Sequence, residues 1–136
     1  MDVYSKEQRS KLMSSVKSKN TKPELEVRRI VHRLGFRYRL HQPLPGRPDL
    51  VFARLRSVIF VHGCFWHRHL GCAGATMPAT NVKFWRSKFQ ANEARDRRVI
   101  ATLAEQGWKV ITVWECELKD RETLSRRLQL ELTDGS

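Results

Sequence analysis

The spacing of apolar residues changes from helical to alternating within the first third of the chain. Apolar positions recur three and four residues apart between Thr21 and Leu34, and Pro23 lies near the start of this stretch. A threonine cap, an early proline and acids in the first turn favour a helix that begins there, and Gly35 supplies a stop. The alternating segment 36–42 then predicts a strand.

The rest of the chain contains short apolar runs and one long helical stretch. After the turn-rich PLPGRP, the runs DLVFA and SVIFVH predict a hairpin of two buried strands. The other predicted elements are a basic helix over about 5–16, a long helix over 84–106 ended by Gly107, a buried strand over 108–115 and a helix over 120–132. This order predicts an α/β protein with a mixed sheet flanked by helices.

Charge narrows the class of partner. The chain has 136 residues, which suits one domain spanning 1–136, and its net charge of +12 comes from 26 Lys and Arg against 14 Asp and Glu. Such an excess on a small domain indicates a polyanion, most often nucleic acid, and the plain alternative is a generally basic protein. No apolar run suits a membrane span and the N-terminus has no signal core, so we expect a cytoplasmic protein without a membrane partner. Nothing indicates dimerisation, so we expect a monomer.

The stretch HGCFWHRHLGC, residues 62–72, concentrates metal-ligand chemistry. Three cysteines in a reducing compartment favour metal ligands or buried thiols over disulfides. Cys64, Cys72, the distant Cys116 and one histidine would complete a four-ligand zinc site. Four ligands require only one histidine, so one of His67 and His69 would face the ion and the other could face away. The alternative is a group of surface histidines beside buried thiols.

A carboxylate and a histidine lie at neighbouring strand ends. Asp49 follows Pro48 at the start of one predicted strand, and His62 ends the next. Metal-dependent nucleases hold Mg²⁺ with such a carboxylate, yet Phe60 stands where their second acid would be and His62 where their lysine would be. Asp49 would then need the Val61 carbonyl, water and phosphate as further ligands, which Mg²⁺ tolerates. The alternative is an ordinary turn aspartate.

Polar residues also interrupt the apolar stripe of the long helix. Asn92 and Asp96 share the stripe of Trp85, and polar groups facing a core need partners. A carboxylate there can orient a histidine by accepting its ring N–H, so we predict a His67–Asp96 pair. The alternative is a polar helix edge that faces solvent.

Aromatic residues in this region suit insertion into DNA. Phe65 and Trp66 are adjacent in a Gly-, His- and Cys-rich loop, and Trp85 lies between Lys83 and Lys88. Aromatics beside cations favour stacking on bases. The alternative for Trp85 is core packing.

These segments together resemble a known family. The order PGRPDLVF, VIFVHGCFWHRH, PATNVKFW, NEARDRR and GWKVITVWEC is similar to the very-short-patch-repair (Vsr) DNA mismatch endonucleases over roughly residues 5 to 120. The resemblance implies a restriction-endonuclease-like core with a structural zinc site. It also implies an enzyme that nicks duplex DNA on the 5′ side of the T in T:G mismatches, which arise when 5-methylcytosine deaminates. The nick initiates very short patch repair by a polymerase and a ligase.

The resemblance also implies a role for each matching residue. The catalytic set comprises Asp49 on Mg²⁺ with the Val61 carbonyl, His67 as the base oriented by Asp96, His62 on the scissile phosphate, and Glu24 reaching the metal through water. The zinc ligands are Cys64, His69, Cys72 and Cys116. The DNA contacts are Phe65, Trp66 and Trp85 from the major groove, Met13 of the N-terminal helix within 1–20 from the minor groove, and Lys88 and Asn92 on displaced bases.

Two positions depart from the family pattern, and two other functions compete with this one. Val61 replaces a family threonine, and the HRHLGC run carries an additional residue before Cys72. The first competing function is a different nuclease of the same fold, although so short a chain leaves little room for an added recognition domain. The second is a non-catalytic zinc DNA-binding module, in which Asp49, His67 and Asp96 have no chemical role.

Overall fold

The computed structural model describes residues 21–65, 67–69, 72 and 75–134. Its elements in chain order are α1 (Lys22–Arg33), β1 (Leu50–Phe52), β2 (Ser57–His62), α2 (Val82–Glu105), β3 (Lys109–Trp114), a 3-10 helix (Glu115–Lys119) and α3 (Arg121–Asp134). The predicted helix over about 5–16 and Met13 lie outside the described residues.

The start of α1 is fixed by a reciprocal cap. The Thr21 hydroxyl accepts a hydrogen bond from the Glu24 N–H, and the Glu24 carboxylate accepts one from the Thr21 N–H at 3.0 Å. This capping box satisfies two backbone donors that the first turn would otherwise leave unpaired. The helix ends at Arg33 with Leu34 as its C-cap, and Gly35 takes φ +87°, as the sequence predicts.

The described strands form one mixed sheet in the order β1-β2-β3. β1 and β2 are an antiparallel hairpin with Leu50 opposite Ile59, and β2 and β3 are parallel with His62 opposite Trp114. The parallel pair is connected by α2, as a parallel crossover requires. The predicted mixed α/β fold is therefore confirmed.

The predicted strand over 36–42 is wrong. Its alternating residues make a single antiparallel bridge, in which Arg39 and Val51 exchange both backbone hydrogen bonds at 2.8 and 2.9 Å. Two residues further on, His41 has φ 54°, in the left-handed region, and this turns the backbone away from β1. The segment therefore covers the edge of β1 without extending the sheet.

Helices cover both faces of the sheet. On one face, the alternate residues Ile59 and Ile111 pack with the apolar sides of α1 and α3. On the other, Val58 and Phe60 pack with Leu103 of α2. The apolar strands predicted from sequence are thus buried on both sides. Among the described residues, no helix is both long and apolar enough to span a bilayer.

Replacing Leu128 by alanine should measure how far the fold depends on α3. Leu128 is fully buried, so Leu128→Ala should lower the free energy of unfolding by about 2–5 kcal/mol in urea titrations. Leu130 on the same helix is 70% exposed, and Leu130→Ala should change that free energy by less than about 0.5 kcal/mol. Equal effects from the two substitutions would contradict the packing of α3 described here.

Candidate active site and metal centres

The chemically active side chains gather at the end of the sheet where β2 finishes. β2 ends at His62, and the following loop, residues 63–81, leads to α2. Asp49 immediately precedes β1 on the antiparallel side, and Cys116 follows β3 on the parallel side. A hairpin and a parallel neighbour therefore bring residues that are far apart in sequence to the same edge.

Asp49 faces the backbone of β2. Its Oδ2 accepts a hydrogen bond from the Val61 N–H at 2.6 Å, and its own N–H donates to the Ile59 carbonyl at 3.0 Å. In an extended strand the N–H and C=O of one residue point toward the same neighbour, so the Val61 carbonyl lies on the Asp49 side. The turn before Asp49 packs closely against α2: a Cβ on Gly46 would lie 2.4 Å from Val99 Cγ1.

Glu24 of α1 is the second carboxylate near Asp49. It is 1% exposed, its Oε1 has no hydrogen-bond partner among the described residues, and Arg28 Nη2 lies 3.4 Å from that oxygen. Burial raises the pKa of Asp49 to about 7, and the adjacent Glu24 carboxyl adds to the shift while the Val61 hydrogen bond opposes it. A half-buried carboxyl group (Asp49) beside a buried one with an oxygen that lacks a hydrogen bond (Glu24) forms a donor set that fits a hard divalent cation.

His67 and Asp96 form the predicted pair. His67 Nδ1 lies 2.6 Å from Asp96 Oδ2, so the loop histidine is connected to the middle of α2. Burial alone would raise the pKa of Asp96, but the hydrogen bond and charge of His67 outweigh it and hold the pKa below its usual value. With Nδ1–H donating to the carboxylate, the neutral ring keeps Nε2 as the nitrogen that accepts a proton.

His62 stacks on His67. The two imidazole centroids are 3.9 Å apart with 5° between the planes. Burial, together with the nearby charge of His67, lowers the pKa of His62 to about 4. His62 is therefore neutral near pH 7.

Three thiols and one imidazole form a second group on the other side of β2. The ligand atoms of Cys64, His69, Cys72 and Cys116 all lie within 4.8 Å of one another. His69 Nδ1 lies 3.3 Å from Cys116 Sγ and 3.8 Å from Cys64 Sγ. Tetrahedral zinc, with its usual bond lengths, separates a sulfur from a nitrogen ligand by about 3.5 Å. The group therefore has the composition and the dimensions of a structural zinc site, with Cys72 included despite the longer run before it.

Surrounding contacts fix the orientation of this second group. The His69 ring stacks on Trp114 with centroids 4.3 Å apart. Glu117 accepts a hydrogen bond from the Trp114 N–H at 2.9 Å and pairs with Arg127 at 2.5 Å, which holds the turn around Cys116. Burial and the neighbouring thiols raise the pKa of Cys116 to about 12. The raised pKa favours the protonated thiol. A bound cation would favour the thiolate instead, because its positive charge stabilises the negative sulfur.

The aromatic residues form a packed cluster instead of an exposed pair. Trp85 is 1% exposed, and its ring lies 5.6 Å from Phe65 and 5.8 Å from Phe89 between centroids. Phe84, next to Trp85 at 5.1 Å, is 38% exposed. The core alternative for Trp85 thus describes its position here, with Phe65 half-buried above it.

The remaining predicted DNA contacts differ in exposure. Lys88 is exposed on α2, whereas Asn92, one turn further along, is buried. Trp66 lies outside the described residues. That these three residues contact DNA stays a prediction, as do the roles of the other site residues.

Several residues of the site gave little or no local signal in the sequence. Glu24 is identifiable from its helix cap but not as a neighbour of Asp49, because that contact joins two elements 25 positions apart. Phe89 lies on the helical stripe of Trp85, and this spacing could have indicated the cluster. Arg68 and Trp114 have no such pattern, since their contacts depend on the folded loop.

Comparisons with known proteins agree with this geometry. The family model described as DNA mismatch endonuclease Vsr matches residues 1–73. The type II nicking enzyme V.XorIIP of Xanthomonas oryzae pv. oryzae is 50% identical over 129 residues, covering 94% of each chain. The DNA mismatch endonuclease Vsr of Escherichia coli K12 is 44% identical over 125 residues, covering 91% of this chain and 80% of that protein.

A solved structure gives the same fold. The catalytic domain of the homing endonuclease I-Bth0305I superposes with a TM-score of 0.59 over 85% of this chain and 98% of that one, at 20% identity. At that identity the likeness concerns the fold alone. The family match and the extended sequence identity go further, and on them this chain is a member of the Vsr DNA mismatch endonuclease family.

Proposed function

We propose that this protein is a Mg²⁺-dependent endonuclease that nicks one strand of duplex DNA on the 5′ side of the T in T:G mismatches. Such mismatches arise from deamination of 5-methylcytosine, and the nick initiates very short patch repair inside the cell. The observation that carries the proposal is the His67–Asp96 pair at 2.6 Å, which lies at the same end of the sheet as the half-buried carboxyl group of Asp49 and its buried neighbour Glu24. Relatives with the names of nicking enzymes and a mismatch endonuclease support the reaction class.

Asp49 and the Val61 carbonyl would hold the Mg²⁺, and Glu24 would reach it through water. When bound, the ion would offset the charge of the scissile phosphate and make hydroxide available near neutral pH. Val61 can replace the family threonine in this role because the donor is a main-chain carbonyl, which any residue supplies. Glu24 would contribute from α1, where its hydrogen bond from the Thr21 N–H holds the carboxylate in place.

His67 would be the general base. Its Nε2 takes the proton from the attacking water, and Asp96 stabilises the imidazolium that results. The buried neutral ring of His62 stacks on His67 and would donate a hydrogen bond to the phosphate. Because a neutral His62 adds no positive charge beside His67, protonation of the base is not opposed.

The zinc ligands would make the loop rigid. Cys64 and His69 flank the segment that carries Phe65 and His67, so one ion would fix both ends of this segment. Cys116 connects that loop to β3, and Cys72 closes the site. We propose Zn²⁺ because three thiolates and one imidazole are a usual structural zinc set.

The aromatic cluster would recognise the mismatch. Phe65 and Trp66 would enter the stack from the major groove, with Trp85 packed behind Phe65, and Met13 would enter from the minor groove. Unstacking costs a few kcal/mol and less at a mismatch, which contributes to selectivity. Lys88 and Asn92 would contact the displaced bases, and the +12 charge would supply affinity that does not depend on sequence. A single chain suffices for this arrangement, so we propose a monomer.

A panel of duplexes with each mismatch in several sequence contexts tests the proposal. T:G duplexes should be nicked on the T strand in the presence of Mg²⁺, and Asp49→Asn should abolish nicking while DNA affinity stays within about threefold, because binding rests on the basic surface. Glu105→Gln, an exposed charge change at the end of α2, is the matched control. DNA binding without nicking by the unaltered protein would favour the non-catalytic module, and cleavage of matched duplexes would favour another nuclease.

The Mg²⁺ requirement should depend on pH. The raised pKa of Asp49, about 7, means that Mg²⁺ competes with a proton below neutrality. The half-saturating Mg²⁺ concentration for nicking should therefore fall about tenfold between pH 6 and pH 8. A requirement that stays constant over this interval would contradict a half-buried, protonatable Asp49 as the ligand.

Asp96→Asn should separate catalysis from binding. The amide keeps the shape of the side chain but no longer stabilises a protonated His67, so kcat should fall by about 10²-fold or more at an unchanged KM. Glu93→Gln, on the same helix, should leave kcat unchanged. Single-turnover nicking at saturating DNA is the measurement, and an unaffected kcat in Asp96→Asn would remove His67 from the role of base.

Cys116→Ser should lower zinc content and stability together. Atomic absorption should show one zinc per unaltered chain and less than one in the variant, with the free energy of unfolding lower by about 2 kcal/mol or more. Glu115→Gln, at the exposed neighbouring position, is the control. Full zinc stoichiometry in Cys116→Ser would rule out the four-ligand site.

A further inference from the structure

Arg68 lies between the base and a zinc ligand but has no role in the site as described so far. It separates His67 from His69, and its backbone has φ 56°. A non-glycine residue in the left-handed region costs free energy unless its surroundings hold it there. Contacts of the Arg68 side chain supply that restraint.

The guanidinium group of Arg68 joins two parts of the loop. Its Nη1 donates to the Thr76 carbonyl at 2.9 Å and to the Phe65 carbonyl at 3.4 Å, and its Nη2 donates to the Ala75 carbonyl at 2.9 Å. The three acceptors lie on both sides of the zinc ligand Cys72. Arg68 therefore connects the start of the loop to its return toward α2.

The same guanidinium group also packs on α2. Its central carbon lies 4.1 Å from the Phe89 ring centroid and 5.8 Å from that of Phe65. Phe89 is buried beside Trp85, on the helix that also carries Asp96. One side chain thus joins the loop that bears His67 to the helix that bears its partner.

We infer that Arg68 is a positioning residue, which holds the loop so that His67 faces Asp96 and Phe65 packs on Trp85 before DNA arrives. The inference rests on the proposed function, in which His67 is the base and Phe65 part of the mismatch wedge. A planar group with several fixed donors can bind carbonyls and stack on an aromatic ring at once, whereas a lysine ammonium cannot. If His67 and Phe65 are already in place before DNA binds, the entropy lost by ordering them is not subtracted from each turnover.

A phosphate-binding arginine is the competing role for this residue. Bidentate binding of phosphate uses parallel N–H groups on one edge of the guanidinium. Here both terminal nitrogens already donate to protein carbonyls, and the flat face is covered by Phe89. The contacts therefore favour a role inside the protein over one on the DNA backbone.

Arg68→Gln and Arg68→Lys test the inference, with Arg33→Gln as the control for loss of one exposed positive charge. Arg68→Gln should lower single-turnover kcat by about 10²-fold at saturating T:G duplex, with KM changed by less than about threefold. Arg68→Lys should also be impaired, because it keeps the charge but not the planar fork. Arg33→Gln should match the unaltered protein.

Three outcomes would overturn the inference. A rise in KM and a lower salt dependence of binding, with kcat unchanged, would make Arg68 a phosphate contact. Full activity in Arg68→Lys would show that charge alone matters. Unaltered kcat and KM in Arg68→Gln would show that the residue is dispensable.

A spectroscopic readout keeps the inference separate from the proposed function. The ring proton shared by His67 Nδ1 and Asp96 should give a downfield NMR signal in the DNA-free protein, assigned by its loss in Asp96→Asn. Arg68→Gln should weaken or abolish the signal, and its persistence there would overturn the inference. Failure of the unaltered protein to nick T:G duplexes would instead count against the proposed function, with this signal still reporting on Arg68.

Phe89→Leu tests the same inference if an Arg68 variant does not fold. It retains apolar volume in the cluster but removes the ring face on which the guanidinium packs. It should reduce kcat and the shared-proton signal in the same direction as Arg68→Gln. A variant with normal zinc content, normal kcat and a normal signal would overturn the inference.

Discussion

The parallel pairing of β2 with β3 is the constraint on which the site depends. Because His62 is opposite Trp114, both strands end at one edge, and the chain segments that follow them meet. Cys64 and His69 lie in the loop that follows β2, and Cys116 lies in the 3-10 helix that follows β3. The antiparallel β1 brings Asp49 to the same edge from the other side. A register slip of one residue would turn every side chain of β2 to the opposite face and separate the two candidate metal sites.

The loop after β2 combines several chemical roles that are usually spread over longer segments. Its residues face three different neighbours: Cys64 and His69 lie with the other two thiols, His67 faces α2, and Phe65 packs into the aromatic cluster. Such a segment has little regular hydrogen bonding, so its order must come from cross-links. The three cysteines and His69 of the candidate zinc site supply one set of cross-links, and the hydrogen bonds and stacking of Arg68 supply another.

Much of this arrangement is encoded in local sequence pattern. Helix caps, buried strand runs and the dense Cys–His stretch predict α1, the hairpin and the metal-ligand group, and helical spacing predicts that Asp96 faces inward. Local pattern also predicts a strand over 36–42, where one backbone turn at His41 limits pairing to a single bridge. Alternation alone does not specify whether a partner strand is available.

Other features depend on contacts between distant segments and leave no local trace. Burial of Trp85 follows from the packing of Phe65 and Phe89 around it, which the lysines beside it in sequence do not indicate. The approach of Glu24 to Asp49 depends on how α1 lies across the sheet. The family resemblance assigns Glu24 to the metal site, which the periodicity of the sequence does not, because a family motif includes residues that meet only in the folded protein.

The central proposal is that the end of β2 binds two cations with different ligand preferences, one to stabilise the loop and one to assist the reaction. Anomalous diffraction from crystals grown with zinc and soaked in Mn²⁺, as a scattering substitute for Mg²⁺, tests this directly. We expect a zinc peak among Cys64, His69, Cys72 and Cys116, and a manganese peak beside Asp49 and the Val61 carbonyl. A manganese peak at His67, or none beside Asp49, would contradict it.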